Sequence, residues 1–337
     1  MPETLLVTEK EYGKAEQVFR AATAITIRPA PADEALLSAA VLQWRARAVI
    51  VGVERYTGDL YRALQEAANG RGALIARFGV GHDGVDKAQA REHGIAVCNT
   101  PGVLDISVAE HALWLMGNFA RCIPRLEARL RAGEFGGEPG GELCGKRLGI
   151  LGFGRIGRKV ARMAHFGFGM SVWAADQWSP QTLEVQEKRS LADIRKDHGL
   201  ELYTSDTDQL LRECDYVSIH LPAMPATRHF INASRIALMK PTAVLVNTAR
   251  GLVLDEAALY DALAAGQIAG AALDVFENEP YQPVASDKDL RTLTNIVLTP
   301  HVGSNTREAN QRMAAACLEN VSHFFAGNAA QMTRVHQ

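Results

Sequence analysis

The chain has 337 residues, enough for two domains of ordinary size, and its 47% hydrophobic and 22% charged residues are the proportions of a folded globular protein rather than a disordered or fibrous one. A formal net charge of −2 supplies no field to hold nucleic acid or an anionic membrane, and no run approaches the ~18–20 apolar residues of a membrane span. Five scattered cysteines without a CxxC (Cys98, Cys122, Cys144, Cys214, Cys317) argue against a disulfide framework or a metal site, and with an N-terminus unlike a signal peptide they fit a reducing cytoplasm.

In chain order, the first hundred residues read as a weak alternation of strand and helix, with strands at LLVT (5–8), RAVIVG (47–52), GALIARFGVG (72–81) and GIAVCNT (94–100). A domain break is expected near NTPGVLDIS (99–107). The stretch 106–143 begins as a helix, ISVAEHALWLMGNFARCI, and runs into a glycine-rich arm; it suits neither sheet and reads as a subunit contact. From 146 the alternation is strong. KRLGILGFG (146–154) is a strand ending in glycines, followed by a helix with Ile156, Val160, Met163 and Ala164 on one face. Further strands are expected at 170–176, 215–222, 242–249, 269–276 and 295–301, a solvated surface helix at 184–200, and a final helix at 307–327. Most of these strands are apolar on both faces, as strands between two helical layers must be, which points to α/β domains with doubly wound parallel sheets.

GFGRIG (152–157) matches GxGxxG, and its meaning comes from its place between a strand and a helix. Gly152 would permit the tight turn, Gly154 would let a pyrophosphate reach the backbone, and Gly157 would let helix and strand pack closely. The phosphates would meet this turn, with Arg155 and Ile156, at the positive end of the helix dipole. Asp176 ends the next strand, where a carboxylate accepts ribose hydroxyls and repels the 2′-phosphate of NADP. Gln177 and Trp178 offer no cation for such a phosphate, so the expected cofactor is NAD. His301, in LTPHVGSNT (298–306), follows an apolar run; taken alone it reads as a satisfied core histidine or as a base.

The motifs RFGVGHDGVD (77–86), VAE (108–110), GFGRIG, HLP (220–222), VNTARG (246–251), LDVFENEP (273–280) and TPHVGS (299–304) resemble, in that order, the D-isomer-specific 2-hydroxyacid dehydrogenase family, over nearly the whole chain. That family includes D-lactate, phosphoglycerate, glycerate/glyoxylate, formate and phosphite dehydrogenases. The resemblance implies two flavodoxin-like or Rossmann-like domains with a cleft between them: residues 1–104 plus 305–337 for substrate and 105–304 for NAD, the stretch 106–143 serving a homodimer.

It also implies NAD-dependent interconversion of a small D-2-hydroxy acid and its 2-keto acid, with His301 as acid/base, Glu279 orienting its ring and Arg250 gripping the substrate carboxylate. Leu221, Pro222, Thr248, Ala249, Asp274, Gly303 and Ser304 would line the cofactor, Asp274 at the nicotinamide carboxamide, and backbone N–H groups of Val80 and Gly81 would bind the carboxylate beside Arg250. His82 departs from the family's usual apolar residue and reads equally as an anion contact or a rim residue. Gly52 stands where phosphoglycerate-specific relatives carry an arginine, although Arg55 is near; Glu279 argues against formate oxidation, and phosphite oxidation keeps the same triad. A second reading, from a different class, is a non-catalytic NAD(H)-sensing binding protein of the corepressor type. No metal is expected.

Overall fold

A computed structural model describes residues 3–335. The chain divides into two compact units, the described residues of Met1–Leu104 with Ser304–Gln337, and Asp105–Gly303.

The first unit holds five parallel strands, β1 (Thr4–Thr8), β2 (Thr26–Ala30), β3 (Ala48–Val51), β4 (Ala73–Arg77) and β5 (Ile95–Cys98), in the order β2-β1-β3-β4-β5. This is the flavodoxin-like order of a doubly wound sheet. All four residues of β3 are buried, because helices cover both faces of a central parallel strand. β2 is absent from the sequence reading. It is a half-exposed edge strand carrying Arg28 and Pro29, and an edge tolerates a residue that cannot donate to a ladder. The long helix Arg307–Phe325 belongs to this unit: the Nε of Arg312 donates to Val103 O at 2.7 Å, and Asn320 bonds Thr333 and Asn99.

The second unit holds seven parallel strands: β6 (Arg147–Leu151), β7 (Ser171–Ala175), β8 (Leu200–Thr204), β9 (Tyr216–Ile219), β10 (Val244–Asn247), β11 (Gly270–Leu273) and β12 (Ile296–Leu298). Their order is β12-β11-β10-β9-β6-β7-β8, so the winding reverses between β6 and β9. Ligands of such sheets lie beyond the carboxyl ends of the strands at that reversal.

Two expectations need correction. The stretch read as one solvated helix at 184–200 is two short helices, Pro180–Glu187 and Leu191–His198, which bury Leu183 and Ile194 and lead into the edge strand β8. The half-apolar pattern LELYT and a glycine at 199 were the only signals of that strand. The stretch 106–143 is also not apart from the sheets. Helix Asp105–Ala120 lays Ala109, Ala112, Leu113 and Met116 into the same core as Leu148, Ile150 and Val246. The chain then breaks at Cys122, which is left-handed at φ 53°, and the following helix Ile123–Arg131 buries nothing.

Candidate active site

The three glycines of the turn after β6 are needed for three different reasons. Gly152 has φ +96°, and a Cβ there would lie 2.7 Å from the carbonyl oxygen of His220. A Cβ on Gly157 would collide with the carbonyl oxygen of Gly152, so the helix Arg155–Phe168 can approach the strand only through glycine. A Cβ on Gly154 would meet nothing within 4 Å, which leaves open space over the first turn of a helix that no side chain caps. That is the cradle a pyrophosphate needs. Asp176 is tied to the same turn, its Oδ2 accepting the N–H of Phe153 and its Oδ1 that of Gln177, each at 2.7 Å. Arg155 pairs with the buried Asp105 at 2.9 Å, while Ile156 packs on the core. At the end of β9, Leu221 is half-buried and Pro222 exposed. Burial pushes His220 down to about 4, so it is neutral near pH 7, with Nε2 2.9 Å from Ser218 Oγ.

The other groups come from β10, β11 and β12, three neighbouring strands whose carboxyl ends are flush. After β10, buried Asn247 shapes the turn: its Oδ1 accepts the Ala249 N–H and its Nδ2 donates to Arg250 O, both at 3.0 Å. The buried hydroxyl of Thr248 has no hydrogen-bond partner among the described residues. A buried polar atom without a partner is costly unless a ligand completes it. Arg250 is half-buried, and its Nη1 donates to Ala249 O at 2.6 Å.

After β11, the carboxylate of Asp274, 1% exposed, accepts the Thr299 hydroxyl at 2.6 Å and the N–H groups of Val302 and Gly303 at 2.9 and 2.8 Å. His111 Nε2 lies 3.3 Å from Asp274 and 3.0 Å from Thr299 Oγ1. Burial alone would raise the Asp274 pKa; the bonds from His111, Thr299 and the two N–H groups outweigh it and hold the carboxyl below its usual range. Asp274 therefore carries the turn that bears His301. His111, Thr299 and Asn247 are the residues the sequence reading missed, since an imidazole, hydroxyl or amide that only braces a turn has no pattern of its own.

Glu279 and His301, 22 residues apart, meet at 2.7 Å between Oε2 and Nδ1. The second oxygen of Glu279 accepts the Phe276 N–H at 3.0 Å, so the carboxylate is fixed from both sides. The N–H of His301 donates to Asp274 O at 2.8 Å, and this turn holds the residue at φ +53°. Non-glycine residues in that region are uncommon, histidine less so than most, and they persist where surrounding bonds over-determine them.

Val80, Gly81 and His82 lie in the first unit, in the loop after β4, where Asn99 Nδ2 donates to Val80 O at 2.8 Å and the Val85 N–H to His82 O at 3.2 Å. Ser304 also falls in that unit. The loop after β3 is laced to this one by the Tyr56 N–H and Gly84 O at 3.1 Å.

The NAD-binding domain model of the D-isomer specific 2-hydroxyacid dehydrogenases matches residues 113–303, more than half of the chain. The chain belongs to that family. This dehydrogenase is 42% identical over 260 residues to D-3-phosphoglycerate dehydrogenase of Methanocaldococcus jannaschii, covering 77% of its own length but 46% of that protein's. It is 41% identical to hydroxypyruvate reductase of Thermotoga maritima, over 74% of its own length and 76% of the relative's. Among solved structures, the NADPH-dependent glyoxylate/hydroxypyruvate reductase of Sinorhizobium meliloti, in complex with NADP and malonate, superposes with TM-score 0.79 at 30% identity, covering 99% and 97% of the two chains. The enzyme is thus an NAD-dependent oxidoreductase of 2-hydroxy acids, as its motifs imply. The open cradle over Gly154 and the unpartnered Thr248 hydroxyl fit such a cofactor. No described helix is long and apolar enough to cross a membrane.

Proposed function

We propose that this dehydrogenase reduces a small 2-keto acid without a distal anion, of the glyoxylate or hydroxypyruvate kind, using NADH in preference to NADPH. The observation that carries the substrate class lies at the carboxyl edge of the first unit's sheet. A Cβ on Gly52 would sit 2.5 Å from Glu54 Oε2 and 2.6 Å from Glu11 Oε1. Glu11 is 2% exposed, bonded to Thr8 and paired with Lys14 at 3.1 Å, while the buried Glu54 Oε2 has no partner among the described residues. Two carboxylates thus fill the space an arginine would need at position 52. Like charges brought together cost several kcal/mol, so a phosphate or second carboxylate is disfavoured there.

When bound, NADH supplies the hydride to the keto carbon. The chain's own groups supply the rest. His301, oriented through Nδ1 by Glu279, would hold at Nε2 the proton delivered to the nascent alkoxide. Arg250 would clamp the substrate carboxylate and stabilise charge growing on the keto oxygen, with the N–H groups after β4 (Val80, Gly81, and His82 at the rim) as further donors. Gly152, Gly154, Arg155, Ile156, Gly157, Asp176, Leu221, Pro222, Thr248, Ala249, Asp274, Gly303 and Ser304 would serve the cofactor, with Asp176 on the ribose hydroxyls. No cation stands at Gln177 or Trp178 to welcome a 2′-phosphate.

The test is nucleotide oxidation against glyoxylate, hydroxypyruvate, pyruvate, phenylpyruvate, 2-oxoglutarate and 3-phosphohydroxypyruvate, with phosphite and NAD in parallel. The expected kcat/KM favours glyoxylate or hydroxypyruvate by about tenfold or more over 2-oxoglutarate and 3-phosphohydroxypyruvate, the two acids with a distal anion, and NADH over NADPH. A preference for 3-phosphohydroxypyruvate or phosphite would overturn the substrate reading, and NADH binding without turnover on any of these would favour a sensor.

Ile123, Leu130, Trp114 and Phe135 (the last 98% exposed) leave an apolar surface on the segment 105–143. Such a surface marks an association site, and a homodimer is the form proposed. Sedimentation equilibrium should give twice the monomer mass, and dimer loss in a Trp114→Glu, Leu130→Glu variant. None of the five cysteines is in a disulfide, and Cys98, Cys214 and Cys317 are buried, which suits the reducing cytoplasm proposed for the enzyme.

A further inference from the structure

The segments that carry Arg250 and Glu279 are joined by a buried pair of glutamates for which the chemistry above has no use. Glu256 opens the helix Glu256–Ala264 and is 2% exposed. Its N–H donates to Glu277 Oε1 at 3.1 Å, and the N–H of Glu277 donates back to Glu256 Oε1. The remaining Glu277 oxygen lies 2.9 Å from His229 Nε2. The remaining Glu256 oxygen is buried with no hydrogen-bond partner among the described residues. Next to the pair, the backbone of Gly251 approaches Phe276 and Glu277 so closely that a Cβ on Gly251 would collide with both. The Gly251 contact thus lies one residue after Arg250, Glu256 six residues after it, and Glu277 two residues before Glu279.

We propose that Glu256 and Glu277, backed by His229, are positioning residues: their reciprocal bonds fix the Arg250 turn against the Glu279 turn and so set the spacing of carboxylate clamp and acid/base pair. This rests on the assignment of Arg250 and Glu279 to the reaction. Each glutamate side chain does for the other segment's backbone what a ladder partner would do, at a place where the strands have ended and no ladder remains.

The clamp also carries a pH dependence. Burial, then the charges of Glu277 and Glu279, push Glu256 up to about 7, against the opposing Glu277 N–H and the nearby His229; Tyr281 also faces it. The folded state therefore binds this proton more tightly than the unfolded chain does. The contribution of Glu256 to stability falls as pH rises from the ordinary carboxylate range through about 7, and the penalty is fully present above it. Above that pH the unpartnered oxygen becomes part of a buried anion, beside two other carboxylates.

Glu256→Ala and Glu256→Gln would be compared with wild type by steady-state kinetics with hydroxypyruvate, by NADH fluorescence titration, and by melting curves between pH 6 and 8. Loss of the bond from the Glu277 N–H in Glu256→Ala should lower kcat by about tenfold to a hundredfold, the effect of a small misplacement of reacting groups, with NADH affinity unchanged. Glu256→Gln keeps an acceptor for the Glu277 N–H and cannot ionise, so it should recover most of that loss. Its melting temperature should also fall less than the wild type's as pH rises through 7. A folded Glu256→Ala with wild-type kcat, or a Glu256→Gln melting profile parallel to wild type, would overturn the proposal. Were Glu256→Ala not to fold, the Glu256→Gln pH profile decides alone. An Arg250→Ala control separates the two levels: a crippled control beside a silent clamp variant sinks only the clamp, whereas a silent control sinks the site assignment.

Discussion

Replacing His301 with alanine should lower kcat for keto-acid reduction by about 10²–10⁴-fold, the usual worth of a positioned acid/base, while NADH binds as before. The reasoning is local. Nδ1 of the ring is held 2.7 Å from Glu279, so in the proposed reaction Nε2 is the nitrogen that would exchange a proton with substrate. The backbone of His301 is pinned separately, through the Asp274 carbonyl, and Asp274 pins the next two residues by their own N–H groups. Removing the imidazole therefore leaves the turn in place, and the loss should fall on the chemical step. Stopped-flow mixing of enzyme and NADH with hydroxypyruvate separates the two: a slow single turnover with normal NADH affinity is the expected result. A rate near wild type would take His301 out of the chemistry and return it to the reading of an ordinary polar group at a strand end.

Arg250→Ala should act on both kinetic parameters. A guanidinium that clamps the carboxylate and faces the developing oxyanion serves ground state and transition state together, so KM should rise and kcat should fall, the latter by about 10²–10³-fold. Arg250→Lys should restore only part, because a lysine supplies charge without the planar fork of donors. The Asn247 side chain holds Arg250 O and the Ala249 N–H independently of the guanidinium, so the turn itself should survive. Unchanged kinetics in Arg250→Ala would remove it from the site. A rise in KM with kcat intact would confine it to substrate binding.

What could be read from the sequence depended on whether a residue's role leaves a mark in pattern or only in space. The turn glycines announce themselves because two obey contact limits that no other residue meets: a positive φ at Gly152 and a helix pressed on a strand at Gly157. The buried strands β3, β6, β9 and β10 announce themselves because both faces are apolar. The edge strands β2 and β8 do not: β2 carries Arg28 and Pro29 and β8 the half-exposed pattern LELYT, so neither shows an apolar run. Glu279 and His301 were legible only as members of recurring motifs, and their contact spans 22 residues, which spacing alone does not disclose. Glu256 and Glu277 lie 21 residues apart, and nothing in their spacing discloses that the fold buries one against the other. The same holds for Glu11, in the helix Glu9–Lys14, and Glu54, in the loop after β3, which converge on Gly52.

The groups proposed for proton transfer and carboxylate binding, Arg250, Glu279 and His301, together with the glycine turn and Asp176, all lie within the unit Asp105–Gly303, at strand ends of a single sheet. Glu11, Gly52 and Glu54, proposed to screen the substrate's side chain, lie on the other unit. On the proposed roles, proton transfer and the choice of substrate side chain are thus written on separate pieces of chain. Drift in one can redirect the enzyme to a new acid while the other is inherited intact, so a lineage can diversify its diet without reinventing its chemistry.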